Sequence, residues 1–136
     1  MKFKFFPHTA DVKFRAYGKN LEEVFENSIY AVFRSLTDEK IIEKKKIKIK
    51  VSGRGLDNLL YNFLEEILFL IDAKNFFVRR VLNLKIDEKK FKLRAEFVGD
   101  DGENYEIFSH VKAVTYNEMF VKKIGDKWFV QVVLDV

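Results

Sequence analysis

Cysteine is absent from the 136-residue chain, which excludes disulfides, thiolate metal sites and thiol catalysis, and suits a cytoplasmic protein. There are two histidines, His8 and His110, too few and too isolated for a histidine-rich metal centre. No serine sits in a nucleophile-elbow motif, and Ser109 and His110 are merely sequence neighbours. Glycine is sparse, and Ser52-Gly53-Arg54-Gly55 is followed by no Gly-Lys-Ser/Thr, so it reads as a flexible turn rather than a phosphate cradle. No stretch approaches the roughly 18 apolar residues of a membrane span. The start Met1-Lys2-Phe3-Lys4 has no signal-peptide apolar region. A cytoplasmic location without a membrane partner is therefore expected.

What is present is apolar bulk and mixed charge. A hydrophobic content of 48% with 15 Phe supports a packed globule, expected as one domain over residues 1–136. The net charge of +4 sets 25 basic against 21 acidic residues, and the pI near 9.2 permits RNA or another polyanion as partner. Among so many acidic residues no glycosidase-type carboxylate pair stands out.

The single proline, Pro7, opens a polar knot, Pro7-His8-Thr9-Ala10-Asp11, between two short strands at 2–7 and 12–18. Asn20 and Glu23 make a capping box for a helix whose stripe runs Leu21, Val24, Phe25, Ile29, Val32, Phe33 and Leu36, with Thr37-Asp38 closing it. Residues 44–51 alternate lysine with Ile47, Ile49 and Val51, a half-buried strand whose lysines read as a solvated, edge-protecting face. It lacks the aromatics that single-stranded RNA binding would want. Asp57 is placed to cap a second helix, stapled by Leu56 and Tyr61. That helix carries the stripe Leu59, Leu60, Phe63, Leu64, Ile67, Leu68 and Ile71, and Phe69 and Leu70 widen its apolar surface. At about 1.5–3 kcal/mol per buried side chain it is the spine of the core.

A hairpin follows, with Leu82, Leu84 and Ile86 alternating on one arm and Phe91, Leu93, Ala95 and Phe97 on the other. Gly99-Asp100-Asp101-Gly102 reads as a surface turn, since the remaining ligands of a calcium loop are missing. The final strand puts Trp128, Val130, Val132 and Leu134 on one face and Phe129, Gln131, Val133 and Asp135 on the other. Asp135 and a carboxylate on Val136 would place two anions one residue apart, and Asp11 would add a third if it folded nearby. Two such charges about 5 Å apart repel by roughly 3 kcal/mol at an effective dielectric of 20. A cluster of this kind takes up a proton, recruits a base or binds a hard cation. Spacing alone does not bring residue 11 to residue 135.

Taken in order, His8-Thr9-Ala10-Asp11, Leu21-Glu22-Glu23-Val24-Phe25-Glu26-Asn27, Gly55-Leu56-Asp57, Phe69-Leu70-Ile71-Asp72, Lys112-Ala113-Val114-Thr115-Tyr116 and Leu134-Asp135-Val136 span nearly the whole chain. This ordered set resembles the archease family. The resemblance implies a small α+β domain, mainly antiparallel β-sheet packed with two amphipathic α-helices, which agrees with the periodicity. It implies a non-catalytic accessory protein that activates the RtcB-type tRNA-splicing RNA ligase, promoting its guanylylation and multiple turnover and broadening its nucleotide use. RNA or tRNA would then be met through the ligase. It also implies a divalent-metal site on Asp11, Asp135 and Val136 with His8 as neighbour, taking Ca²⁺ or Mg²⁺, with Mn²⁺ as a functional substitute. Asn117 departs from the family pattern, which often has His after Thr-Tyr. Two other readings stand beside this one: an autonomous metal-dependent phosphoester hydrolase with His8 as base, and an RNA-binding or chaperone module using the Lys44–Lys50 strand.

Overall fold

A computed structural model describes residues 1–136. The first hairpin joins β1 (Phe3–Phe6) to β2 (Asp11–Gly18), and helix α1 (Leu21–Arg34) follows. Strand β3 (Lys45–Ser52) leads into α2 (Leu56–Lys74), then the long hairpin β4 (Phe76–Asp87) and β5 (Lys92–Asp101). A short 3₁₀ turn at Gly102–Asn104 precedes β6 (Ala113–Ile124) and β7 (Lys127–Asp135). Pairing is antiparallel throughout, but there are two sheets rather than one: β1-β2-β7-β6 and β3-β5-β4. Both helices pack on strands of both sheets, which makes a fold of the expected α+β class. No helix is long and apolar enough to cross a membrane.

The two helices start differently. Asn20 caps α1, its Oδ1 accepting the Glu23 N–H at 2.8 Å, while Glu23 Oε1 reaches back to the Lys19 N–H at 3.3 Å. The expected cap on α2 does not form. Gly55 is its N-cap and offers no side chain, while Asp57 lies inside the first turn, where its charge favours the helix dipole. On α2 the stripe from Leu59 to Leu68 is buried together with Leu70, whereas Phe69 is 51% exposed, so the widened surface faces inward at Leu70 only. Phe63 stacks against Phe25 of α1 and meets Phe97 of β5, tying the helices to the second sheet.

Two sequence readings of the β4–β5 hairpin need correction. Register slips between Leu82 and Lys85, where three steps on β4 face two on β5, and Asn83 takes a left-handed φ of 51° there. Strand phase flips at such a bulge. Val81, Leu84 and Ile86 therefore turn toward the core, while Leu82 pairs with Glu96 on the other face. Gly99 to Asp101 of the expected surface turn are instead the end of β5, with Gly99 and Asp100 buried, and Gly102 opens the 3₁₀ turn. A Cβ on Gly99 would lie 1.8 Å from the Phe77 carbonyl oxygen, so glycine there answers a close strand approach, not a reversal. Burial alone would raise the Asp100 carboxyl, but hydrogen bonds from Tyr105, the Asp101 N–H and Asn104 hold it below the usual carboxylate range.

Candidate cation site at the β2–β7 ladder

Pro7 has no N–H to continue β1, and the chain reverses through Thr9 and Ala10. Ala10 sits at φ 61°, a left-handed conformation that costs a residue with a Cβ on the order of 1–2 kcal/mol. The reversal starts β2 at Asp11, whose ladder partner on β7 is Asp135. Directly opposed residues in an antiparallel pair have Cβ atoms about 4.5–5.5 Å apart on one face. Two carboxylates far apart in the chain thus stand side by side, Asp11 half-buried and Asp135 exposed. On its other side Asp135 pairs with Ala113, and its carbonyl accepts the Lys112 N–H at 2.7 Å. Val136 is half-buried against the core.

His8 lies between two acids. Its Nε2 is 2.9 Å from Glu118 Oε2, and its Nδ1 is 3.3 Å from Asp11 Oδ2. An ionised carboxylate can only accept, so Glu118 fixes the proton on Nε2. Nδ1 is buried and makes no well-formed hydrogen bond, its one polar neighbour being the Asp11 carboxylate. The second Glu118 oxygen accepts from Lys13 Nζ at 2.9 Å. The Lys13 hydrogen bond first, and that of His8 second, hold the Glu118 carboxyl below the usual glutamate range.

Glu118 is a partner of His8 that sequence reasoning missed. It reaches His8 because β6 bulges: Thr115 pairs with Val133 but Phe120 pairs with Gln131, five steps against two. Glu118 itself adopts φ 56°, and its carbonyl accepts from Gln131 Nε2 at 2.8 Å. Gln131 Oε1 in turn accepts from Arg15 Nε at 2.9 Å, and the Arg15 guanidinium lies over Phe6 and Phe120. The sole hint in the sequence is the polar Asn117-Glu118 pair inside an otherwise strand-like run. Asn117 is exposed in the same bulge, and His110 is exposed outside it.

No three His, Asp or Glu side chains meet as a closed cation cage. The groups on hand are two carboxylates facing across one ladder and the His8 imidazole, whose Nδ1 lies against Asp11. Two carboxylates of this kind suit one side of a hard divalent ion, the rest of whose coordination sphere would be left to water or phosphate, as is usual for Mg²⁺. A cleft beside it is lined by Phe5, Pro7, His8, Asp11, Arg34 and Phe108, with Phe5 and Phe108 exposed.

The model of the Archease protein family matches residues 3–136. The chain belongs to the archease family. An archease from Sulfurisphaera tokodaii is 38% identical over 138 residues, covering 99% of each chain. One from Pyrococcus abyssi is 39% identical over 141 residues, again covering 99% of both. In solution, Methanobacterium thermoautotrophicum protein 1598 has the same architecture at a TM-score of 0.84, with 34% identity and 99% coverage of each chain. An archease from Thermotoga maritima, described as a possible chaperone, shares the fold at a TM-score of 0.66, with 19% identity over 98% of this chain and 96% of its own. Archease membership thus covers both chain ends that meet at the β2–β7 ladder.

Proposed function

We propose that this archease is a non-catalytic accessory protein for an RtcB-type RNA ligase. It would hold a divalent cation on Asp11, Asp135 and Val136 and present it during nucleotide transfer to the ligase. The observation that carries this reading is the direct cross-strand pairing of Asp11 with Asp135, with His8 Nδ1 buried against Asp11. A bound cation would offset phosphate charge and orient the reacting groups. The protein's own contribution is positional. Ala10 and the β6 bulge set Asp11 and Glu118 on either side of the imidazole, which the two acids orient. Carboxylate oxygens favour Ca²⁺ or Mg²⁺, while the imidazole extends the range to Mn²⁺. Exposed Phe5 and Phe108 on the adjoining cleft offer the ligase an apolar contact next to the ion.

The test is multiple-turnover RNA joining by the ligase with wild type and Asp11→Ala, paired with calorimetric Mn²⁺ titration of each protein alone. Loss of both stimulation and ion binding is expected in the variant. Undiminished stimulation by Asp11→Ala would contradict the metal role.

A further inference from the structure

The outer face of the three-stranded sheet is chemically unlike the rest of the surface. The slip at Asn83 turns Lys85 outward, and the ladder then aligns Lys50 of β3, Arg94 of β5 and Lys85 of β4 in one row straight across the sheet. All three are exposed, and none has an acidic partner within ion-pair reach. Like charges directly opposite one another destabilise a sheet, so this row is held at a cost. Lys46 and Lys92 extend it to either side on the same face. The nearby acids are already engaged. Glu96 accepts from Asn83 and pairs with Lys48 at 3.6 Å, and Asp87 accepts the turn amides of Lys89 and Lys90.

We propose that this face, centred on Lys50, Arg94 and Lys85, is a direct RNA-binding surface that grips the phosphate backbone of a double-helical RNA segment. Charge complementarity argues for a polyanion, and the absence of exposed aromatics on β3, β4 and β5 argues against stacking of unpaired bases. Three strands at about 4.8 Å spacing make a face roughly 10 Å wide before side chains are added. A-form RNA offers a wide, shallow minor groove flanked by phosphates, across which a flat face of this width can lie. The contact is sequence-independent because it reads phosphates and not bases. It requires neither the ligase nor Asp11, so it stands or falls apart from the cation site.

The experiment measures anisotropy of a labelled RNA duplex of about 16 base pairs with the isolated protein, between about 50 and 200 mM salt. Wild type is expected to bind with an affinity that falls linearly with salt on logarithmic axes, at a slope of roughly −0.9 per phosphate contacted. The triple variant Lys50→Gln, Lys85→Gln, Arg94→Gln should lose roughly tenfold or more at low salt and about 2–3 units of slope. A control carrying Lys122→Gln, Lys123→Gln and Lys127→Gln on the β6–β7 hairpin loses the same charge and should bind like wild type. Thermal melts of the triple variant at or above the wild-type midpoint would show that it is folded, and single substitutions at Lys50 and Arg94, each lowering the slope by about 1, provide a second reading. The proposal is overturned if the triple variant binds as wild type does, if both triple variants lose equally, or if a DNA duplex of the same sequence binds as tightly. Retained RNA binding alongside lost ligase stimulation would instead assign the face to an acidic protein surface, and would also overturn it.

Discussion

The outer faces of the two sheets both carry cations and use them in opposite ways. On the four-stranded sheet, Lys13 is bound to Glu118, and Arg15 is held by Gln131 between the rings of Phe6 and Phe120. On the three-stranded sheet, Lys50, Arg94 and Lys85 face one another with nothing between. Paired charges build a fixed geometry, here one in which His8 stands between Glu118 and Asp11, and Asp11 opposes Asp135. Unpaired like charges build a field, which a mobile polyanion can neutralise.

The largest perturbation breaks both faces together. Phe63→Ala removes a fully buried ring between α1 and β5 and should destabilise by about 3–5 kcal/mol. Urea unfolding measures it, and ion and RNA binding should vanish at the same denaturant concentration, because one core supports both sheets.

A smaller change separates the faces. Glu118→Ala releases the His8 ring and frees Lys13 close to the carboxylates. Losing such a supporting partner should weaken Mn²⁺ binding by about 10–100-fold in calorimetry, with RNA binding unmoved. The same substitution has a pH signature. Because the folded Glu118 carboxyl lies below its ordinary range, its contribution to stability is complete above the unfolded value near pH 4.3 and is lost as pH falls through the lower folded value. Acid unfolding of the variant should lack that component, whereas the Lys50, Lys85 and Arg94 substitutions should leave it in place.

How much of this contrast was legible in the sequence follows from distance and periodicity. The alternating lysines of β3 are a period-2 pattern, and their outward face could be read directly. That Lys85 stands in line with Arg94 could not, since the slip at Asn83 sets both its face and its partner. The slip at Asn83 depends on how β4 meets β5. The pair Asp11 and Asp135 was suspected from its chemistry and from family resemblance, but its ladder register is a property of packing between distant segments. Glu118 was invisible because five residues of β6 facing two of β7 leave no periodic trace. The cap on α2 misled for a local reason: Asp57 is a favoured cap residue, yet Gly55 already had the extended backbone the position needs.

The smallest effect runs against intuition. Arg94→Glu places an acid between two lysines and converts two repulsive cross-strand pairs into attractive ones, each worth about 0.2–1 kcal/mol. The melting temperature should rise while RNA affinity collapses, a stability–function opposition that a merely solvated face would not show.

The cation site itself is tested most directly by adding substoichiometric Mn²⁺ to isotope-labelled protein and recording which backbone amide signals broaden first. The expected result is broadening centred on His8, Ala10, Asp11, Ala113, Asp135 and Val136, abolished by Asp11→Asn. Broadening that begins at the other acidic pair, Asp100 and Asp101, or spreads evenly over the acidic surface, would contradict a cation site where β2 meets β7.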